Sequence, residues 1–410
     1  MKKKLISLLF FLLLSLSLLL GLSSCDSSKE KVLNVYNWGE YISDGSEGSL
    51  DVIKAFEDWY YNTYGETVTV NYTTYSSNED LYNKLASGAT GYDVIIPSDY
   101  MIDRMVREDM LLPLDFSVIN NYEYIYDDFK GLYYDPEEKY TVPYTYGVVG
   151  IIYNSKYVSE SDAEKGWDLL WNESYSGNIL QYNNSRDAFG IAMYRLGIDV
   201  NTTSEEEWTR VYDSLAAQKP LIQSYVMDEI YNKMESGEAY ISSYYAGDYL
   251  FMYPNNEDLA FYQPDVTNFF IDAMCIPKTA QNPELANIFI NFMLDEEIAI
   301  ANAEMICYAS PNRLVVENEE YLSYLSDIHE DAVDILYPDG VDFKEQFDRY
   351  AYRFLDAETN SLMTSLWSKL KIGSNEGVSP IYIIALCEVL FLICIILFFR
   401  VRRKRREKYY

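Results

Sequence analysis

The sequence predicts an α/β protein built of two lobes. Apolar strands and amphipathic helices alternate from Val32 onward, a pattern typical of a parallel-rich sheet covered by helices on both faces. The chain has 410 residues, which exceeds one ordinary domain and fits about two. Both termini have the pattern of membrane signals, so the part that folds in water is shorter than the whole chain.

The first lobe opens with a β-α-β pattern. Residues 32–35 predict a strand, and the apolar spacing from Leu50 to Trp59 predicts a helix that Gly65 ends. The next elements expected in this lobe are a strand at 67–72, a helix at 77–88, a buried strand at 93–97 (DVIIP) and a helix at 100–108.

The crossover into the second lobe is expected at residues 141–154 (TVPYTYGVVGIIYN), which read mostly as strand. Further helices are expected at 167–171, 185–196, 205–215, 226–236, 283–294 and 298–305. A turn followed by a strand is expected within 175–180, and further strands at 239–243 and 269–277. The predicted divisions are a signal peptide (1–24), first lobe (32–145), second lobe (146–270), return to the first lobe (271–312), remainder of the second lobe (313–372), transmembrane helix (380–399) and basic tail (400–410).

The N-terminus has the pattern of an export signal. Three lysines at positions 2–4 precede a leucine-rich run, and the run closes with Leu22-Ser23-Ser24-Cys25. That ending resembles the lipobox of bacterial lipoproteins, so Cys25 is predicted to carry a lipid anchor. Small residues before a cysteine also suit ordinary signal cleavage, which is the alternative.

The C-terminus predicts a membrane span. The apolar run at 380–399 is long enough to cross a bilayer, and seven basic residues follow it. By the positive-inside rule this tail stays in the cytoplasm, which leaves the rest of the mature chain on the extracytoplasmic face of the cell membrane. Glu388 lies within the run and marks either a weaker span or a helix with a partner.

The extracytoplasmic part is strongly acidic. The net charge is −32, and the terminal segments hold ten of the 32 basic residues but only two of the 64 acidic ones, which leaves 62 acids against 22 bases. Such a surface repels phosphate backbones, so we expect no nucleic-acid partner. Acidity alone does not identify a cationic ligand, because acidic residues also serve solubility.

Cysteine and histidine counts exclude several kinds of site. Of five cysteines, only Cys275 and Cys307 lie in the part expected to be soluble, where they either pair or remain buried free thiols. The single histidine, His329, leaves no multi-histidine metal site and only one possible donor for a catalytic triad. We therefore expect no metal, no cofactor and no catalytic residues.

Aromatic and acidic side chains recur where predicted strands end or helices begin. They are Trp38, Glu40 and Tyr41; Ser98, Asp99 and Tyr100; Asn184 and Asp187; Tyr244 and Tyr245; Phe270 and Asp272; and Tyr308. Ligands of α/β folds bind outside the carboxyl ends of strands, and ring faces with carboxylates suit a diamine or polyamine. Any single member could instead be an ordinary surface or core residue, so the hypothesis rests on the set.

Six motifs occur in an order that resembles a known family. They are YNWGEY at 36–41, YSSNEDLYNKL at 75–85, YDVIIPSDYMIDRM at 92–105, PYTYG at 143–147, INFML at 290–294 and AEMICYASPN at 303–312. Over residues 32–350 the chain resembles the spermidine/putrescine-binding proteins of bacterial polyamine ABC transporters. The resemblance implies a two-lobed, type II periplasmic-binding-protein fold with a hinge that closes on a polyamine and presents it to membrane permease subunits.

The resemblance also implies the ligand-binding residues. Asp187 matches a carboxylate that holds a ligand amine, and Asp272 matches an aspartate in a strand at the lobe crossover. The full set carried over is Trp38, Glu40, Tyr41, Ser98, Tyr100, Asn184, Asp187, Tyr245, Phe270, Asp272, Tyr308 and Gln346. Asn184 stands where the family commonly has an acid, and Tyr245 and Phe270 stand where it has tryptophans, which leaves spermidine versus putrescine open.

The function expected is therefore polyamine binding by a monomeric, non-enzymatic protein. A surface glycoside hydrolase is the alternative from another class, because carboxylates among aromatic rings also describe a sugar cleft. A tethered sensor whose C-terminal span docks through Glu388 and a binding protein for another small cation are further alternatives.

Overall fold

The computed structural model describes residues 31–88, 91–338 and 340–372. The predicted signal peptide, Cys25, the predicted span at 380–399 and the basic tail lie outside these ranges. Within them, no helix has the length and apolar character needed to cross a membrane.

The strands confirm the α/β character and the long crossover strand. In chain order they are β1 (Lys31–Trp38), β2 (Val68–Tyr75), β3 (Val94–Ile95), β4 (Val142–Asn154), β5 (Ile179–Tyr182), β6 (Ile222–Val226), β7 (Ile241–Tyr245), β8 (Leu259–Tyr262) and β9 (Phe269–Met274). Strands β6 and β8 have no counterpart among the predicted elements.

The helices alternate with these strands and then dominate the last part of the chain. They are α1 (Val52–Tyr64), α2 (Asn78–Ala86), α3 (Asp99–Arg107), α4 (Glu160–Ala163), α5 (Ser185–Leu196), α6 (Glu205–Gln218), α7 (Glu229–Glu235), α8 (Ala246–Met252), α9 (Pro283–Met293), α10 (Glu296–Ile306), α11 (Arg313–Val316), α12 (Glu319–Ile328), α13 (Ala332–Leu336), α14 (Phe343–Tyr350) and α15 (Ala357–Ile372). The predicted helix at 167–171 is a 3-10 helix in the structure (Gly166–Trp171).

The described residues form two compact units. Unit 1 contains residues 31–147, 246–251 and 269–349, and unit 2 contains residues 148–245, 252–268 and 350–372. The predicted boundaries differ in two segments, because residues 246–251 and 313–349 pack within unit 1 rather than in the second lobe. The later segment packs there because the rings of Phe343 and Phe347 lie against Phe129.

Unit 1 is built on a parallel sheet of order β2-β1-β3. Asp51 caps the start of α1, because its side chain accepts the Lys54 N–H. Gly65 follows the last residue of α1 and takes the left-handed conformation, which glycine adopts without strain. Its buried Phe56 packs edge-on against Phe289 of α9, with ring centroids 5.0 Å apart. This packing covers the apolar stripe of α1 and fixes strand β1, whose carboxyl end carries the first predicted binding motif.

Unit 2 is built on a mixed sheet of order β6-β5-β7-β4-β8. Strand β4 is buried along nearly its whole length, which explains its continuous apolar sequence. Helix α5 is buried from Arg186 to Tyr194, and its Phe189 ring packs on Trp208 of α6. The first turn of this central helix carries two of the predicted binding residues.

Candidate ligand-binding site

The carboxyl end of β1 holds the first group of predicted site residues. Trp38 donates its indole N–H to the Ile96 carbonyl at 3.0 Å, and its ring lies against Tyr75. Glu40 is exposed and has a φ of 51°, a left-handed conformation that costs a non-glycine residue about 1 kcal/mol. Because buried Asn37 donates to the Tyr41 carbonyl, this turn is closed by a side chain rather than left as a free loop.

A buried polar chain joins Tyr41 to Asp272 inside unit 1. The Tyr41 hydroxyl donates to Asp272 Oδ2 at 2.6 Å, and the Thr145 hydroxyl lies 2.6 Å from the same phenol oxygen. Because the Tyr41 hydroxyl donates its hydrogen bond to Asp272, its oxygen accepts a hydrogen bond from the Thr145 hydroxyl. The Tyr144 hydroxyl donates a further hydrogen bond to the Tyr41 carbonyl, so both the side chain and the backbone of Tyr41 are held in place.

The Asp272 carboxyl group is in an unusual electrostatic state. Burial raises its pKa to about 6, and hydrogen bonds from Ser98 and Tyr41 only partly oppose this effect. Oδ1 is buried and has no partner with hydrogen-bond geometry among the residues that the structure describes. A buried acceptor without a donor costs about 1–3 kcal/mol, and Oδ1 retains the capacity to accept one further hydrogen bond.

Ser98 and Tyr100 lie at the start of α3 and are tied to α2. Asn78 donates from Nδ2 to Ser98 Oγ at 3.0 Å and to the Tyr100 hydroxyl at 3.2 Å. Tyr100 in turn donates to Glu79 at 3.1 Å. Residues Ser98 and Asp272 also form an antiparallel bridge, which brings this group next to the buried carboxylate.

Phe270 and Tyr308 extend the aromatic surface of unit 1. The Tyr308 ring meets Tyr41 at 90° with centroids 5.4 Å apart, and it meets Phe270 at 5.9 Å. Gly147 allows this packing, because a Cβ there would lie 2.7 Å from Phe270 Cζ. The glycine of the PYTYG motif therefore makes room for an aromatic ring.

Unit 2 contributes a separate group at the start of α5. Asn184 caps the helix by accepting the N–H groups of Arg186 and Asp187, which places Asp187 in the first turn. The Tyr245 hydroxyl at the end of β7 lies 3.5 Å from Asp187 Oδ2. The side-chain oxygen of Asn184 is used as the helix cap. Asp187 supplies the carboxylate of this group.

The structure thus gathers most predicted residues into two groups, one in each unit. Trp38, Tyr41, Ser98, Tyr100, Phe270, Asp272 and Tyr308 form the group in unit 1, and Asn184, Asp187 and Tyr245 form the group in unit 2. Gln346 lies on α14 beside buried Phe347, whose ring packs on Phe269, and the part of the chain that the structure covers shows no hydrogen bond from Gln346 to either group.

Two residues of the unit 1 group were not predicted from the sequence. Thr145 reaches the Tyr41 hydroxyl from within β4, and Asp248 accepts the hydroxyl proton of Tyr308. Thr145 lies in the PYTYG motif, so its position was available as a signal. Asp248 follows Tyr245 by three residues, and no periodicity in that segment distinguishes it from a surface acid.

The described residues form neither a metal-ligand cluster nor an exposed thiol. Among residues 31–372, those described contain no cluster of His, Cys, Asp and Glu that could hold a metal ion. Cys275 and Cys307 are free and buried, and burial raises the pKa of the Cys307 thiol to about 12, which keeps it unreactive. Each unit contains a carboxylate next to a tyrosine hydroxyl, Asp272 with Tyr41 and Asp187 with Tyr245, and carboxylates near aromatic rings are the side chains that suit a protonated amine.

An α/β protein of two units with such groups at the ends of strands and helices has the features of a solute-binding protein. The profile of the bacterial extracellular solute-binding proteins matches residues 51–325. The chain therefore belongs to the bacterial extracellular solute-binding protein family, and the predicted α/β periplasmic-binding-protein fold is confirmed.

Three proteins similar to this chain are named for spermidine and putrescine. The spermidine/putrescine-binding periplasmic protein of Escherichia coli (strain K12) is 30% identical over 298 residues, which cover 72% of this chain and 82% of that protein. A solved structure of a putative spermidine/putrescine ABC transporter from Listeria monocytogenes has a TM-score of 0.74 at 32% identity, over 84% of this chain and 99% of that one. The corresponding substrate-binding protein of Streptococcus pneumoniae has a TM-score of 0.65 at 32% identity, with the same coverage. The resemblance seen in the six motifs is confirmed.

Proposed function

We propose that this protein binds spermidine or putrescine outside the cytoplasm and delivers it to the permease of an ABC transporter. The observation that carries the proposal is Asp272, a buried carboxylate whose Oδ2 accepts from Tyr41 and whose Oδ1 has no hydrogen-bond partner among the described residues. The Tyr41 ring packs on Tyr308, which also contacts Phe270. The names of the relatives support the same ligand class.

The chemistry favours a cation over a neutral sugar. An ammonium group supplies three donors and a positive charge, so it would satisfy Oδ1 and offset the cost of burying the ionised carboxylate. A sugar hydroxyl would supply a donor without the charge. The aromatic rings of unit 1 would cover the methylene groups of a polyamine.

Calorimetry on the full-length protein in detergent would test this proposal. Putrescine and spermidine are expected to bind, and 1,4-butanediol, which replaces both amines of putrescine with hydroxyls, is expected not to bind. Equal affinity for the diol would show that the carboxylates do not determine which ligand binds. Turnover of oligosaccharides would favour the glycoside hydrolase alternative over a binding protein without a catalytic step.

The affinity for putrescine is expected to fall at acid pH. Because the pKa of Asp272 in the unliganded protein is about 6, the carboxylate is half protonated at pH 6 and must lose that proton to pair with an ammonium. We expect binding roughly tenfold weaker at pH 5 than at pH 7.5, with release of about half a proton per ligand at pH 6.

Calorimetry in buffers of different ionisation enthalpy measures that proton release. Affinity that is constant from pH 5 to 7.5, with no proton released, would show that Asp272 does not face the ligand. The amines of putrescine titrate well above this range, so they do not contribute to the change.

We also propose that the protein is held at the membrane by two anchors, a lipid on Cys25 and a transmembrane helix at 380–399, with the tail at 400–410 in the cytoplasm. The support is in the sequence, in the lipobox-like LSSC ending and in the apolar run followed by basic residues. A monomer held by both anchors would stay beside its permease.

Deletion of residues 380–410 tests the second anchor. With the lipid anchor intact, we expect the truncated protein to bind polyamine normally, while uptake of labelled putrescine by cells falls. Unaltered uptake would make the C-terminal segment dispensable for transport.

A further inference from the structure

Three lysines of unit 2 meet around the last turn of α15. Lys369 and Lys371 belong to this turn, and Lys219, which follows the last residue of α6, donates to the Lys371 carbonyl oxygen at 3.2 Å. Within the described ranges none of the three forms an ion pair with a carboxylate, whereas Lys156 elsewhere in unit 2 pairs with an aspartate. These three residues are the lysine group of unit 2.

The partners of the lysine group are neutral. Lys371 donates to Asn183 Oδ1 at 2.8 Å, and its ammonium group lies 3.9 Å from the centroid of the Tyr225 ring. Lys369 lies 4.5 Å from the centroid of the Tyr212 ring. Rings and amide oxygens orient an ammonium group but do not neutralise its charge. The lysine group is therefore a site of concentrated positive charge at the surface of unit 2.

A purely structural role accounts for only part of this charge. Lys219 donates to the Leu370 and Lys371 carbonyl oxygens, and a cation beside the last carbonyls of a helix is stabilising. Burial and the charge of Lys219 lower the pKa of Lys371, so the two ammonium groups repel each other. Outside the terminal segments the chain has 62 acids against 22 bases, yet no described carboxylate pairs with these lysines. The group consequently has the charge to attract an anion from outside the chain.

The chain leaves this surface in the direction of its predicted membrane span. The described residues end at Ile372, which is 71% exposed, and the apolar run expected to cross the bilayer begins at residue 380. The eight residue steps between them reach at most about 30 Å, even when fully extended. An anionic phospholipid surface attracts lysines that lie within about one Debye length, which is ~10 Å. Lipid phosphates are therefore an anion that the chain itself brings within reach of the lysine group.

We propose that the lysine group docks unit 2 on an anionic phospholipid surface, with the side chain of Ile372 in the headgroup region. Lipid is favoured over an acidic protein because the short connection to residue 380 ensures its proximity, and because an exposed apolar side chain stands beside the lysines. The inference rests on the C-terminal anchor put forward with the proposed function and extends it, since it assigns the face of unit 2 that meets the lipid.

Acetylation of the lysines in nanodiscs tests this docking. The chain from residue 26 to residue 410 retains every described residue but lacks the predicted signal and lipid, so only the C-terminal segment holds it in the disc. Nanodiscs of phosphatidylcholine are compared with nanodiscs that also contain phosphatidylglycerol, and mass spectrometry follows each lysine after addition of an uncharged amine-reactive ester. We expect the lysine group to react about threefold or more slowly in the anionic nanodiscs, and this difference to disappear at about 1 M salt.

Lys139 is the matched control lysine. It is exposed, lies 4.8 Å from the centroid of the Tyr140 ring and has no ion pair among the described residues, but it belongs to unit 1. Its acetylation rate is expected to be the same in both kinds of nanodisc.

Replacement of Lys369 and Lys371 together with glutamine separates docking from mere closeness to the lipid. Lys219 remains in this double variant, and the connection to residue 380 is unchanged. Docking by the whole group predicts that the lipid-dependent difference at Lys219 falls below about twofold, whereas Lys139→Gln leaves it at the parent value. A difference at Lys219 that persists in the double variant would show that closeness alone causes it, and would overturn the inference.

Equal acetylation of the lysine group in the two kinds of nanodisc would also overturn the inference and would favour an acidic protein as the partner of this surface. Should the double variant fail to fold, Lys369→Gln decides, because a smaller difference at Lys219 supports docking and an unchanged one contradicts it. Failure of the chain to enter nanodiscs would instead overturn the C-terminal anchor, and this inference with it. Calorimetry with putrescine on the same protein tests polyamine binding independently of either result.

Discussion

Replacement of Asp272 with asparagine is expected to weaken putrescine binding at least tenfold, or about 1.4 kcal/mol, while stabilising the unliganded protein at neutral pH. Burial raises the folded-state pKa of this carboxyl group from 3.8 to about 6. A raised pKa favours folding at pH values below the unfolded pKa, and that contribution disappears as the pH rises through 6. At pH 7.5 the ionised side chain is therefore destabilising by about 3 kcal/mol relative to a protonated one.

Asparagine removes that cost because it cannot ionise, yet it retains an oxygen that accepts from Tyr41. Urea unfolding of the unliganded proteins at pH 5 and pH 7.5 would measure this effect, and calorimetry would measure the loss of affinity. We expect the variant to gain most at pH 7.5. A variant that is less stable at pH 7.5 and binds putrescine normally would show that Asp272 is an ordinary structural residue.

Asp93→Asn provides the opposite case within unit 1. Asp93 is fully buried, but its oxygens accept backbone N–H groups of Asn34, Gln281 and Asn282 at 2.8–2.9 Å. Asparagine would place an amide group against one of these donors, so we expect lower stability by about 1–3 kcal/mol and unchanged affinity. The pair of variants distinguishes a carboxylate that holds the fold from one kept for a ligand.

The substitution Arg186→Met is expected to lower the free energy of unfolding by about 3–5 kcal/mol. Arg186 is 1% exposed and donates to the Val200 carbonyl at 2.8 Å and to Asn201 Oδ1 at 2.9 Å. Its guanidinium group stacks on the Tyr352 ring at 4.3 Å and also reaches the Arg353 carbonyl. Methionine fills much of the volume but removes the donor to the Val200 and Arg353 carbonyl oxygens, while Asn201 Oδ1 keeps only the Arg353 N–H.

Arg195→Met, in the last turn of the same helix, is the control. Arg195 is partly exposed and pairs with Asp168 at 2.7 Å on the surface. Because surface ion pairs contribute little, its loss is expected to cost less than about 1 kcal/mol in the same urea experiment. Equal effects of the two substitutions would show that the buried network around Arg186 does not hold unit 2 together.

The features that the sequence did predict follow from local rules. Strand β4 was expected at 141–154 and observed at Val142–Asn154, because a run buried on both faces is apolar throughout. Trp38, Tyr41 and Asp272 were selected because they stand at or beside strands, where an α/β fold places its ligand. Within unit 1, Tyr41 and Asp272 are joined by a hydrogen bond, while Trp38 contacts Tyr75 and the Ile96 carbonyl.

The features that were missed depend on contacts distant in sequence. An amphipathic helix carries no information about which unit it joins, and residues 313–349 are placed in unit 1 by contacts such as Phe347 on Phe129. The position of Asp248 could not be predicted for the same reason, because its hydrogen-bond partner Tyr308 is distant in the sequence and meets it only in the folded chain. The group of residues in unit 2 was predicted from its place at a helix start and a strand end as well as by resemblance, and its role in binding stays a proposal.

The most direct test of the central claim is a crystal structure of the protein with bound putrescine or spermidine. We predict an ammonium nitrogen within about 3 Å of Asp272 Oδ1 and the methylene chain against the rings of unit 1. A polyamine bound elsewhere, with Asp272 Oδ1 still lacking a donor, would contradict the account.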